Sequence, residues 1–227
     1  MLPDGMVGGA EMTDAAMISA SPYDVTVLSH EQWEQALDFD RVVITGTDLL
    51  TPEAMRALAG TKPLVWVHHQ QQPSKARQEL FAAAYPFVTM SEAHSQVERE
   101  WSGVESLWCH GHIPLDEIQA QAKQNRALWA ARNHPQKGRI NARIWALRAE
   151  VPLDELSDAP RSEVLAEMAT HRWFVFLPKG FDSCPRTLIE AEAAGCDIVT
   201  NHLAGRRDPG ELFAVMAEQA PKFWAWV

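Results

Sequence analysis

From residue 24 onward, short apolar runs alternate with segments whose apolar residues recur every three to four positions. The runs predict strands and the periodic segments predict helices. In the first half the strands are Asp24–Ser29, Asp40–Thr47, Lys62–His69 and Pro86–Ser91, with "VESLWCHGHI" closing the half. The helices between them are Glu31–Asp38, "TPEAMRALAG", "SKARQELFAAAY" and "SEAHSQVEREWSG". The second helix has a capping Thr51, Pro52 at its first position and Gly60 at its end. The second half restarts with the strand Arg126–Asn133, then the helices "KGRINARIWALRAE" and "RSEVLAEMATH", then the strongly apolar strand Arg172–Pro178. A helix from Pro185, the strand "CDIVTN" and a helical tail "PGELFAVMAEQAPKFWAWV" complete the chain.

Strands that are apolar throughout, each followed by a helix, imply parallel sheets covered on both faces. The segment 113–125 is the best boundary. It gives an N-terminal Rossmann-like domain over 1–120 and a C-terminal one over 121–227, with the last helix free to cross back.

Composition adds little: 46% hydrophobic and 22% charged residues over 227 positions are ordinary for a globular protein. No apolar run reaches membrane-span length, no basic amphipathic helix for membrane docking stands out, and the start has no leader pattern. Three cysteines, Cys109, Cys184 and Cys196, fit neither a disulfide framework nor a metal set. A reduced, cytoplasmic protein is expected. His110 and His112 beside Cys109 match no usual zinc spacing, so no metal is expected. Trp66, Trp108, Trp129 and Trp173 are expected in the core, and Trp224 and Trp226 are expected to pack the last helix.

The charge is uneven. Residues 1–120 carry 6 Lys/Arg against 17 Asp/Glu, and residues 121–227 carry 14 against 13. The first half should repel polyanions, while the second can hold a small anion.

The chemistry concentrates in "FLPKGFDSCPRTLIEAEAAGCDIVTN". Pro185 would start a helix, and Asp182 or Ser183 would cap it. The free N–H groups over Ser183–Thr187, with Arg186 adding charge, form an anion site. Glu190 lies about 8 Å further along the helix at 1.5 Å per residue. Asp182 and Glu190 therefore bracket the anion site, and carboxylates accept from sugar hydroxyls. A nucleotide-sugar has hydroxyls at both ends and phosphate in the middle. The same two acids would equally serve as a helix cap and a solvated helix residue. Arg132 and Lys137 stand at and after the C-terminal end of a strand, where open α/β sheets bind ligands. They suit a diphosphate, and they also suit a plain surface loop.

Together these motifs resemble the donor-binding domain of retaining GT-B glycosyltransferases of the family 4, or group 1, type. Arg132, four residues, then Lys137-Gly138 matches one family motif. Asp182, seven residues, then Glu190-Ala191 with Gly195 matches another; Asp stands where Glu is usual. "GGAE" at Gly8–Glu11 resembles the glycine loop that opens such chains, and His68 in "VWVHH" matches a histidine facing the transferred sugar. Both halves are short for the family, and no strand precedes Gly8.

The resemblance implies a two-domain α/β enzyme with an interdomain cleft. It transfers a sugar from a nucleotide-diphosphate donor with retention of configuration, without metal or other cofactor. Arg132 and Lys137 would grip the diphosphate, Glu190 the ribose and Asp182 the sugar, with His68 across the cleft and Gly8-Gly9 allowing close backbone approach. Two alternatives stay open: a nucleotide-sugar epimerase of the same fold, and a non-catalytic binding or partner subunit. The acceptor is open among glycan, lipid, metabolite, protein and modified DNA, and the oligomeric state is not legible.

Overall fold

The computed structural model describes residues 9–111, 113, 115–205 and 218–227. They divide into two units, one of residues 9–111 with 218–227 and one of residues 113–205.

In the first unit four strands run parallel in sequence order: β1 (Val43–Ile44), β2 (Leu64–Val67), β3 (Phe87–Thr89) and β4 (Leu107–Trp108). Helices α1 (Gly9–Ser19), α2 (Pro52–Ala59), α3 (Lys75–Ala83) and α4 (Glu92–Ser102) cover them. Local chemistry sets the helix starts. Thr51 accepts from the Ala54 amide, Ser74 from Arg77 and Ser91 from His94. Side chains alternate across the sheet. Val65 and Val67 pack with Met55, Leu58, Leu80 and Phe81 on one face, while Trp66 on the other meets Phe223, ring centroids 4.8 Å apart. Phe223 belongs to α8 (Gln219–Trp224, the last described helix), so the end of the chain fills the core of this unit.

The second unit is also all parallel, in the order β6-β5-β7-β8: β5 (Gln124–Ala131), β6 (Leu153–Ser157), β7 (His171–Phe176) and β8 (Asp197–Thr200). Leu128, Ala130, Phe174 and Phe176 face α6 (Arg161–Thr170) and α7 (Arg186–Ala193). Ala127, Trp129 and Val175 face α5 (Arg139–Ala149). From β5 the chain moves outward to β6, then crosses back to β7 on the other side of β5. The loops after β5 and β7 therefore diverge from neighbouring strand ends, which is the topological switch point where open α/β sheets bind ligands.

Several expectations need correction. Asp24–Ser29 forms no strand: its β-branched residues have no partner strand, and Val27 is 71% exposed. The strand expected over Asp40–Thr47 shrinks to Val43–Ile44 because Thr47 enters a 3-10 turn. Gly9 opens helix α1 instead of a glycine loop, and Gly8 lies outside the described residues. Strand β6 was not anticipated, since its sequence "LDELS" is half polar. Its two acids are held by ion pairs, as described below. Residues 209–217 of the expected C-terminal helix also lie outside the described residues. Trp66 and Trp129 are core, while Trp108 and Trp173 are only half-buried.

Candidate functional site

The loop after β5 and the loop before α7 are fastened together at the switch point. Gly138 is the reason they can approach. Its φ is +76°, and a Cβ there would lie 1.9 Å from the Leu177 carbonyl oxygen, so only glycine fits. Around it, the Lys179 amide donates to the Gln136 carbonyl at 2.8 Å and the Asn141 side chain to that of Leu177 at 3.0 Å. The indole of Trp129, at the end of the core, donates to the Lys137 carbonyl at 3.1 Å. The second loop is braced in turn, because the Asp182 amide donates to Leu203 and the Gly205 amide to Asp182.

This bracing brings two of the residues singled out from sequence into contact. The Lys137 ammonium donates to the Asp182 carboxylate at 2.6 Å. The pair is partly open, with side chains 34% and 15% exposed. Arg132 is exposed just past the end of β5, and its side chain makes no hydrogen bond or ion pair among the described residues. Ser183 is buried, and Thr187 is half-buried in the first turn of α7.

The start of α7 differs from expectation by one residue. Pro185 is the N-cap, not the first helical position, and no side chain caps the helix, so neither Asp182 nor Ser183 takes that role. Asp182 is committed to Lys137 instead.

Glu190 is not a solvated helix residue. It is 2% exposed, and one carboxylate oxygen receives the Nε–H of Arg161 at 2.8 Å and of Arg186 at 2.9 Å. Arg161 also binds Glu117. Burial works against the Arg161 charge, but the hydrogen bonds to Glu190 and Glu117 outweigh it and hold its pKa above the ordinary value. Arg186 donates through its Nε–H to Glu190, one turn on along its own helix, and among the described residues both of its Nη atoms are buried without a hydrogen-bond partner. Arg161 was missed from sequence. It sits 29 residues from Glu190 on another helix, and no periodicity links positions so far apart.

His68 belongs to the other unit. Its Nε2 lies 3.0 Å from an Asp14 carboxylate oxygen, an ion-pair distance though not aligned as a hydrogen bond, and its ring rests on Trp66. Asp14, on α1, had no signal in the sequence. Buried His94 and Glu98 form a further pair on α4, with Trp101 donating to Glu98.

Burial pushes the Cys109 thiol up to about 11 and raises that of Cys196 as well, so neither of these two is set up as a nucleophile. Among the described residues no group of three or more His, Cys, Asp or Glu is placed to hold a metal ion. His112 lies outside them, and no described helix is long and apolar enough to cross a membrane.

Two parallel Rossmann-like sheets with a braced loop pair at one switch point define an α/β chain of the GT-B glycosyltransferase fold. Three solved structures carry that likeness. AviGT4, a glycosyltransferase involved in avilamycin A biosynthesis, is 13% identical with a TM-score of 0.61, over 95% of this chain and 84% of its own. HepE of Anabaena in complex with UDP-glucose is 13% identical with a TM-score of 0.59, over 96% and 87%. An alpha-glucosyltransferase in complex with UDP and a 13-mer DNA containing an HMU base is 11% identical with a TM-score of 0.55, over 96% and 87%. No family model and no curated protein sequence matches the chain.

Proposed function

We propose that the protein is a glycosyltransferase that moves a sugar from a nucleotide-diphosphate donor to an acceptor, with retention of configuration and without a metal. The observation that carries this reading is the meeting of Lys137 and Asp182, from two loops, at the switch point of a parallel sheet beside the start of α7. The similarity in fold to proteins crystallised with UDP and UDP-glucose supports it.

In this reading the donor diphosphate competes with Asp182 for the Lys137 ammonium. Arg132, exposed on the same loop, supplies a bidentate contact. The amides opening α7 add the positive end of the helix dipole. Lys137 and the helix amides are in place before reaction, so with Arg132 they stabilise the charge that grows on the diphosphate as the glycosidic bond breaks. Asp182, released from Lys137, accepts from hydroxyls of the transferred sugar. Glu190 keeps one oxygen for ribose hydroxyls, because its other oxygen is already taken by Arg161 and Arg186. His68 and Gly8-Gly9 stay, by the family resemblance alone, candidates for contact with the transferred sugar.

Thermal shift against a panel of nucleotides and nucleotide-sugars tests this. A ligand at 100 times its Kd adds about 2.7 kcal/mol of stability. The expected result is a shift with a nucleoside diphosphate or its sugar, lost in Arg132→Ala and Lys137→Ala. Product analysis then separates transfer from epimerisation on the nucleotide. The absence of any shift across the panel would overturn the proposal.

A further inference from the structure

Helix α5, which directly follows Gly138, is apolar on two faces. Its inner face is small: Ala142 and Ala146 are 0% and 4% exposed and lie against the sheet. Its outer face carries Ile140, Ile144 and Leu147, which are 57%, 44% and 81% exposed. At 100° per residue these three project within about 60° of one another, as one stripe along the helix. Arg143 flanks the stripe on one side, with Arg139 behind it, and Arg148 flanks it on the other. The helix contains no acidic residue.

The charge of this face is in surplus. Arg139 and Arg143 both bind the one carboxylate of Glu155 on β6. Arg148 is exposed and makes no ion pair among the described residues. Glu150, just past the helix end, is the other acid close by in the sequence. The stripe escaped the sequence reading because apolar residues fall on opposite sides of this helix, inward at Ala142 and Ala146 and outward at Ile140, Ile144 and Leu147. No one-sided pattern results, and only the exposures set the outer stripe apart.

We infer that this face docks on an anionic bilayer surface. Ile140, Ile144 and Leu147 enter the boundary between headgroups and acyl chains, and Arg143 and Arg148 meet lipid phosphates. An apolar stripe between cationic rims is the pattern that binds such interfaces. The charge argues against a second copy of the chain. Two such stripes packed about a two-fold axis would bring arginine rims together, and three side chains fall well short of the roughly 800 Å² per partner that standard interfaces bury. The unit that carries α5 is close to neutral, with 11 Lys/Arg against 12 Asp/Glu over residues 113–205, so the local arginines decide the sign of this face.

The test is co-sedimentation of the full chain with vesicles of phosphatidylcholine alone, or with about 30 mol % phosphatidylglycerol. It needs no nucleotide, so it stands or falls separately from the transferase reading. The protein should pellet with the anionic vesicles and not the neutral ones, and it should be released as salt rises from about 50 to about 500 mM. Arg143→Gln with Arg148→Gln should weaken binding about 25-fold, at roughly fivefold per arginine. The triple variant Ile140→Ser, Ile144→Ser, Leu147→Ser should abolish it. Leu147→Ser alone, at the most exposed position, should weaken binding without touching the fold, and Val27→Ser on the other unit should leave it unchanged. Failure to bind anionic vesicles at low salt, or equal binding by the triple variant, would overturn the inference. So would a dimer by sedimentation velocity that the triple variant dissociates, which would assign the stripe to a second copy.

Discussion

Replacing Gly138 with alanine places a methyl carbon 1.9 Å from the Leu177 carbonyl oxygen, 2.4 Å from its carbon and 3.0 Å from the Pro178 nitrogen. All three are backbone atoms, so no side chain can swing aside. The left-handed conformation at φ +76° adds about 1–2 kcal/mol for any residue with a Cβ. Forcing the two loops apart adds about 1–3 kcal/mol by comparison with overpacked cores. Together Gly138→Ala should cost about 3–4 kcal/mol, or about 10 °C in Tm at 2–4 °C per kcal/mol for a chain of this size. Two internal comparisons isolate the terms. Gly195 has φ +78° but its nearest neighbour is Lys123 Cε at an ordinary van der Waals distance of 3.7 Å, so Gly195→Ala should cost only about 1–2 kcal/mol. Gly46 has φ −127° and nothing within 4 Å, so Gly46→Ala should change stability by less than about 0.5 kcal/mol. Urea unfolding followed by tryptophan fluorescence and far-ultraviolet circular dichroism gives all three, provided the two probes coincide. If Gly138→Ala costs no more than Gly195→Ala, the loops after β5 and β7 are not in the contact described, and the candidate site loses its scaffold.

Three further outcomes are expected. The hydrogen bonds from Arg126, with help from His171, hold the Asp154 carboxyl down at about 2 against an ordinary 3.8. Its folded value is the lower one, so its contribution is complete above about pH 4 and gone below about pH 2. The side chain is 36% exposed. Solvent screening leaves about 1 kcal/mol, which Asp154→Asn should remove at pH 7. Urea midpoints of variant and wild type should therefore converge near pH 2, and a constant gap would refute the assignment. Glu190→Gln leaves two guanidiniums around a neutral amide. Breaking a buried pair costs about 3–5 kcal/mol, and the lower end is expected because Arg161 keeps Glu117; a urea-measured loss under about 1 kcal/mol would contradict the burial of that cluster. Phe223→Ala should cost about 4 kcal/mol, as large-to-small core changes do, because the ring is 1% exposed and packs on Trp66. A thermal midpoint within a degree or two of wild type would mean that α8 does not fill that core.

Elements fixed by local chemistry were legible. Helix α2 begins and ends where Thr51, Pro52 and Gly60 place it, and β7 stands out as a run of residues that only a sheet covered on both sides would bury. The pairing of Lys137 with Asp182 was legible as convergence of two loops, although not as an ion pair. The rest depended on partners distant in sequence. Strand β6 reads as polar because Asp154 and Glu155 serve four side chains from other elements, the arginines Arg126, Arg139 and Arg143 and the imidazole of His171. Val25, Thr26 and Val27 carry strand propensity but have no neighbouring strand to satisfy it. The fate of Glu190 turned on Arg161, and the exposure of Leu147 on which side of α5 the sheet would take.

Strand β6 is also the outer strand of its sheet among the described residues, with unpaired backbone groups along its free side. A flat apolar strand in that position would template the addition of foreign strands and seed aggregation. Here adjacent carboxylates with bulky cationic partners occupy it. Any chain adding on would have to crowd past those groups, which guards against polymerisation. The salt bridges that hold these acids at low pKa thus also shield the free side of the strand.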